Sequence, residues 1–164
     1  MASRRIPPGP GQESVWDYPR PPALVDSPRR IRIIFNDRVI AESQRTKRVL
    51  ETSHPPVYYI PPTDMAMDCF KEAPGTSFCE WKGRAHYYTL SVGDRVVERV
   101  AWYYPTPTER FASIADYVAV YPSAMDACYV DDEKVQAQAG DFYGGWITAD
   151  IVGPFKGEAG TWGW

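Results

Sequence analysis

Residues 51–62 read ETSHPPVYYIPP and place a short aromatic segment, residues 57–60, between two proline pairs. Proline has no backbone N–H to donate to a sheet ladder, so the pairs limit this segment to one short strand with extended neighbours. Successive side chains of a strand point to opposite faces, which separates its two adjacent tyrosines. Glu51 and His54 lie on the approach to the strand. Ionisable groups beside an aromatic strand on stiff backbone are typical of a small-ligand pocket.

Three other segments have the pattern of β-hairpins, in which two apolar-rich strands are joined by a two-residue polar turn. The turns are Asn36-Asp37, Gly93-Asp94 and Asp131-Asp132, and the hairpins span residues 31–43, 87–98 and 128–135. Asn, Asp and Gly are favoured there because the tight hairpin turns need positive φ angles. Single strands are predicted at residues 47–51, 101–104 and 117–121. The sequence therefore predicts a mainly β fold of antiparallel sheets built from hairpins.

One short helix is predicted near residues 108–116. Thr108 can cap its N-terminus, and Glu109 favours its first turn. Phe111 and Ile114 share one face at helical spacing, which predicts that this face is buried.

The composition divides the chain into three parts. Residues 1–29 contain seven prolines and few large apolar residues, which predicts an extended N-terminal arm. The arm can be disordered, dock onto the domain or join a second subunit in a homodimer, and these alternatives stay open. Residues 30–137 form the predicted β domain. Residues 138–164, rich in glycine and aromatic residues, form a tail that must pack on it.

The charge and cysteine content exclude several classes of protein. The 164 residues carry 18 Lys and Arg against 21 Asp and Glu, with a net charge of −3, and this argues against a nucleic-acid partner. The three cysteines form no C-x-x-C motif, so neither a four-thiolate zinc site nor a disulfide framework is expected. No apolar run is long enough to span a membrane. The N-terminus has charges and prolines where a signal peptide would have its apolar region, so no signal peptide is expected. We expect a cytoplasmic protein with no membrane partner.

Aromatic residues recur in adjacent pairs on the predicted strands. One ring of each pair can face the core, so the other ring needs a different partner. Either the arm and the tail cover these rings, or the rings line a groove that binds a ligand. The predicted walls of that groove are Tyr59, Tyr88, Trp102 and Tyr104, and Glu51 and Lys82 are predicted to give it polarity.

Three residues are candidates for chemistry. Glu51 at the mouth of an aromatic pocket can act as a base, and Cys79 can act as a nucleophile whose thiolate is stabilised by Lys82. The alternative is that Cys79 is a small buried apolar residue. Glu51, His54 and Asp64 do not have a strong ligand spacing, so no metal site and no cofactor is predicted.

Five motifs carry a family resemblance: ETSHPPVYYIP, CEWKG, AHYYTL, AWYYPTP and YVAVYP. In this order and spacing they resemble the bacterial Domain of Unknown Function 427 family, which is also catalogued under a nucleotidyltransferase-like name. The resemblance covers about residues 30–137 and implies a β-tent-like fold, in which antiparallel sheets lean on each other around a pocket. The recognisable motif positions are Glu51, Tyr59, Pro61, Cys79, Lys82, Gly83, Tyr88, Trp102 and Tyr104.

Three functions follow from these observations. The first is the binding of a small or extended, largely uncharged ligand in an aromatic-lined pocket. The second is an enzyme that uses Glu51 or Cys79, together with Lys82, on an anionic substrate resembling a nucleotide. The third is an interaction module that docks a partner protein.

Overall fold

The computed structural model describes residues 5–140, 143–158 and 161. The first four residues of the predicted arm, and residues 141–142, 159–160 and 162–164 of the predicted tail, lie outside the described residues. The strands are β1 (Glu13–Ser14), β2 (Ala23–Ser27), β3 (Ile31–Phe35), β4 (Arg38–Ser43), β5 (Thr46–Leu50), β6 (Val57–Tyr59), β7 (Phe70–Cys79), β8 (Gly83–Val92), β9 (Arg95–Tyr103), β10 (Val118–Val120), β11 (Ala127–Val130), β12 (Glu133–Lys134), β13 (Gln136–Ala137), β14 (Trp146–Ile147) and β15 (Ile151–Val152). Short 3-10 helices span Val15–Asp17, Pro62–Asp64, Met67–Cys69, Glu109–Ile114 and Pro122–Ala124.

The strands form several small sheets, and the mainly β prediction is confirmed. Two sheets have four strands, in the orders β10-β9-β8-β7 and β12-β11-β3-β4. A third has the order β2-β5-β6, and two-stranded sheets join β1 to β15 and β13 to β14. Every pair is antiparallel except β1 with β15. The leaning antiparallel sheets agree with the β-tent-like fold that the family resemblance implies.

All three predicted hairpins are present, as β3–β4, β8–β9 and β11–β12. In the first turn both residues have positive φ, 48° at Asn36 and 63° at Asp37, as a type I′ hairpin requires. β9 runs without a break from Arg95 to Tyr103, so the segments predicted at 96–98 and 101–104 are one strand. The long β8–β9 ladder is the platform on which the candidate site is built.

β6 connects two of the sheets. The Ile60 N–H donates to the Val118 carbonyl, and the Val118 N–H donates to the Ile60 carbonyl, both at 2.9 Å. This bridge places the β2-β5-β6 sheet against the edge of the sheet that contains β10. Tyr58 enters the main core and packs on Trp146, with ring centroids 4.9 Å apart, whereas Tyr59 enters a second core. The predicted separation of the two tyrosines is therefore confirmed.

The predicted helix lies in the expected place as the 3-10 helix Glu109–Ile114, and Phe111 and Ile114 are fully buried. Thr108 does not cap it through its side chain. Instead the Thr108 hydroxyl donates to the Trp81 carbonyl at 2.6 Å. Among the described residues, no helix has the length and apolar character needed to cross a membrane.

The described part of the arm packs on its own chain. β2 lies in the segment that the sequence assigned to the arm, and it pairs with β5 along its whole length. Val15 and Tyr18 are buried, and Glu13 forms an ion pair with Arg48 at 2.6 Å. In the tail, Trp146 is 1% exposed. Both ends of the described chain are therefore parts of one packed body.

Candidate functional site

A cavity of about 240 Å³ lies beside the second core, between the approach to β6 and the β8–β9 ladder. Its lining combines aromatic rings with ionisable and polar groups. The lining residues are Val49, Glu51, His54, Val57, Tyr59, Ser77, Cys79, Lys82, Ala85, Tyr87, Trp102, Tyr104, Tyr121, Gln138, Tyr143 and Gly144. Six of the seven predicted site residues, all except Tyr88, are brought together here.

The aromatic wall follows from strand alternation and cross-strand pairing. Tyr87 on β8 is paired with Trp102 on β9, so both rings point to the same face. The Trp102 ring centroid lies 4.6 Å from that of Tyr121. Its Nε1–H donates to the buried Tyr59 hydroxyl at 3.1 Å, and the Tyr104 ring lies 6.3 Å from the Tyr59 ring. The wall is a continuous cluster of aromatic rings.

Tyr88 does not line the cavity, which corrects the predicted wall. It pairs with Ala101, whose side chain lies in the main core, and therefore it faces away from Tyr87 and the cavity. Its ring stacks on Tyr103 with centroids 4.6 Å apart, and it contacts Phe70. Tyr87 occupies the cavity position that the sequence assigned to its neighbour.

Glu51 and His54 lie at the polar end of the cavity. Glu51 Oε2 lies 3.4 Å from Arg20 Nε and 3.7 Å from His54 Nε2. The Arg20 guanidinium comes from the N-terminal arm, so the arm helps to hold this carboxylate. Asp64, named with these two residues in the sequence, lies elsewhere, where it accepts from Ser43 and Arg45 in a structural network.

Gln138 determines the tautomer of His54. Its Oε1 accepts from the Gly145 N–H at 3.1 Å, and its Nε2 donates to the Lys156 carbonyl at 2.8 Å. This orientation aims the second Nε2–H at His54 Nδ1, 3.2 Å away. Because Nδ1 accepts, the imidazole proton sits on Nε2, which faces Glu51.

His54 is uncharged near neutral pH. Its side chain is 18% exposed, and burial is the main reason that its pKa falls to about 4. Glu51 opposes this lowering of the pKa, while the cationic groups of Lys156 and Arg20 add to it. Tyr143 covers one side of the imidazole, with ring centroids 5.5 Å apart.

Lys82 is positioned by the loop that joins β7 and β8. Its carbonyl accepts from the Thr108 N–H at 3.0 Å, and its Nζ lies 5.8 Å from the centre of the Tyr104 ring. Burial opposes the positive charge of this ammonium. The Tyr59 hydroxyl, Cys79 and Glu51 outweigh that cost, so its pKa lies above the ordinary value for lysine. Lys82 therefore brings a positive charge to the cavity.

Gly83, which ends the same loop, has a φ of +109°. A side chain there would be strained, and its Cβ would contact the backbone of residues 106–108. Gly83 and Pro61, two of the family motif positions, do not line the cavity. Gly83 therefore allows the backbone conformation of the loop that carries Lys82.

Cys79 lies at the end of β7 and lines the cavity as a half-buried free thiol. Cys69 and Cys128 are each 3% exposed, and burial raises the pKa of both thiols. Among the residues that the structure describes, no group of His, Cys, Asp and Glu is arranged to hold a metal ion.

The sequence reasoning did not identify the contribution of the tail. Gln138, Tyr143 and Gly144 line the cavity, and a Cβ at Gly144 would overlap the Trp102 ring. Adjacent glycines within an aromatic segment were the available signal, since glycine marks a close approach of backbone to another group. Ser77, Tyr87 and Tyr121 were also not assigned to the pocket.

The chain is therefore a mainly β protein in which antiparallel sheets lean on each other around an aromatic-lined cavity. The chain belongs to the family described as Domain of unknown function (DUF427), whose model matches residues 23–131, more than half of the chain. A search of curated proteins finds no match to this sequence. Gln138, Tyr143 and Gly144 lie beyond the family match, whereas the other lining residues lie within it.

Proposed function

We propose that the protein binds a small, largely uncharged ligand with a flat ring in this cavity. The observation that carries the proposal is the convergence of Tyr87, Trp102 and Tyr121 with a polar end on one cavity. Aromatic faces stack on flat rings, and a few polar groups then fix the orientation of a ligand.

The size and charge of the cavity define the ligand further. A volume of about 240 Å³ corresponds to roughly eight water molecules at about 30 Å³ each. It lies below the range of roughly 300–1,000 Å³ for drug-sized ligands, which favours one or two rings. Lys82 and Glu51 bring opposite charges to the same cavity, and the carboxylate helps to raise the pKa of the ammonium. Such a pair favours an uncharged ligand with a dipole over an ion.

The proposed compartment is the cytoplasm. Cys69, Cys79 and Cys128 are all free. Free thiols support a reducing environment, because an oxidising compartment favours disulfides.

An enzyme is the second candidate function. The observation in its favour is that Glu51, Cys79 and Lys82 line the same cavity. In this proposal Glu51 acts as a base or Cys79 as a nucleophile, and Lys82 attracts an anionic substrate. His54 does not serve as the base in this arrangement, since Nδ1 accepts from Gln138 and Nε2 carries the proton.

Both candidates require that solvent and solutes reach Cys79. We expect a disulfide reagent such as DTNB to label one thiol per native chain and three after unfolding. The reason is that Cys69 and Cys128 are buried with raised pKa values, whereas Cys79 opens onto the cavity. The measurement is the absorbance of the released thiolate against time.

Cys79→Ser is the matched control for this labelling. It should reduce the native signal to zero and the unfolded signal to two thiols. Native labelling that persists in Cys79→Ser, or a Cys79 that reacts only after unfolding, would contradict an accessible cavity.

The ligand proposal is tested with a library of uncharged one-ring and two-ring compounds. We expect some of them to raise the midpoint of thermal unfolding, since a ligand that binds only the folded state stabilises it. The same compounds should slow the labelling of Cys79, which locates binding in the cavity. Stabilisation without protection of Cys79, or no stabilisation by any compound, would refute the proposal.

A further inference from the structure

We propose that the ligand ring carries a neutral amide edge, an N–H beside a C=O. Glu51 accepts a hydrogen bond from the N–H of this edge, and Lys82 donates one to its C=O. The inference rests on the proposed function and names the chemical class of its ligand. It requires an acceptor, a donor and aromatic faces in one cavity. Glu51, Lys82 and the rings of Tyr87, Trp102 and Tyr121 all line this cavity.

Glu51 is the acceptor. It lines the cavity, and its side chain is 27% exposed. Beside its contacts with Arg20 and His54 it therefore has capacity to accept from a ligand N–H. A carboxylate has no proton to donate and accepts through both oxygens, so it selects a ligand donor at this position.

His54 and Gln138 keep the acceptor in place. Gln138 is itself held by the Gly145 N–H and the Lys156 carbonyl. It fixes the imidazole with its Nε2–H toward Glu51, and the imidazole is uncharged at neutral pH. A neutral His54 adds no positive charge to those of Arg20 and Lys82, and Glu51 remains the acceptor at the polar end.

Lys82 is the donor. An ammonium has three N–H groups and no acceptor. The Lys82 Nζ lies 5.8 Å from the centre of the Tyr104 ring, and its N–H groups can be offered to a ligand carbonyl. The Tyr104 ring packs beside Tyr59, whose hydroxyl accepts from the Trp102 Nε1–H. The donor therefore lies beside the aromatic cluster.

The aromatic wall provides the surface on which the ligand ring stacks. Tyr87, Trp102 and Tyr121 lie on one side of the cavity. A planar bicyclic ring fits within about 240 Å³, and stacking holds its plane while the amide edge meets Glu51 and Lys82. A ligand with the ring and without the amide would keep only the stacking.

The test compares carbostyril, a bicyclic ring with an amide edge, with quinoline, which has the same rings and no such edge. We expect isothermal titration calorimetry to give a Kd for carbostyril that is lower by about tenfold or more, since hydrogen bonds to charged groups contribute at least that factor. Equal affinities would overturn the amide inference and leave the proposed function standing. If neither compound binds and no compound of the wider library stabilises the protein, the proposed function itself is refuted.

Two variants assign the effect to the named residues. Lys82→Met keeps an unbranched apolar stem of four heavy atoms and removes the ammonium, and Glu51→Ala removes the acceptor. Each should bring the ratio of the two dissociation constants close to one, and circular dichroism would verify that each variant folds. Lys71→Met, at an exposed position on β7, is the matched control and should keep the wild-type ratio. A wild-type ratio in both folded cavity variants would overturn the assignment.

Discussion

Replacing Trp102 by alanine is expected to lower the free energy of unfolding by about 3–5 kcal/mol, the range for truncation of a buried tryptophan. Trp102 is 9% exposed and is central to the aromatic wall. The substitution removes its contact with Tyr121 and leaves the Tyr59 hydroxyl without its indole donor. It also removes the surface on which the Gly144 backbone rests. Urea denaturation, followed by circular dichroism, measures the change.

Two controls make this prediction specific. Phe78→Ala truncates an aromatic residue that is 70% exposed, and its effect should stay within about 0.5 kcal/mol. Trp102→Phe keeps a ring in the wall and should lose less stability than Trp102→Ala. If Trp102→Ala costs no more than Phe78→Ala, the wall is not a packed part of the fold.

The hairpins and their turns were predictable because their information is local. Asn36 and Asp37 tolerate the positive φ of a type I′ turn, and the flanking alternation of apolar residues sets the strands. The proline pairs around residues 57–60 likewise limit β6 to three residues. In each case the residues that specify the structure are neighbours in the chain.

The orientation of each aromatic pair was predictable only in part. Alternation requires that Tyr87 and Tyr88 face opposite sides, but it does not say which side faces the cavity. That choice depends on the register with β9, which shifts between Tyr88 and Leu90. A register shift is a property of two strands together, so the sequence of one strand does not reveal it.

The contacts of the tail depend on residues that lie far apart in the sequence. Its glycine and aromatic content indicated packing, and Trp146 is indeed buried against Tyr58. The hydrogen bond between Gln138 and His54 joins residues 84 positions apart. Only the closed fold brings that amide to that imidazole, so the fixed tautomer could not be foreseen.

The second large effect is a pH dependence of stability that originates in His54. Burial holds the pKa of this imidazole at about 4 in the folded chain, against about 6.5 in the unfolded chain. Between these values the unfolded state binds more protons, so acid favours unfolding. The contribution is fully present above about pH 6.5 and is lost as the pH falls toward 4. At 1.36 kcal/mol per pKa unit, the loss amounts to about 3 kcal/mol.

The difference between wild type and His54→Gln isolates this contribution, because the carboxylates titrate in both proteins. From pH 7 to pH 4 the wild type should lose about 3 kcal/mol more stability in urea denaturation than His54→Gln. His86→Gln is the matched control: its ring lies on the opposite face of β8 from Tyr87, with a side chain that is 34% exposed. This variant should follow the wild-type curve, since the buried imidazole is intact. If His54→Gln and wild type lose equal stability, the pKa of His54 is the same in the folded and the unfolded chain. The imidazole would then become charged in the folded protein near pH 6.5, which contradicts a neutral imidazole held by burial and by Gln138.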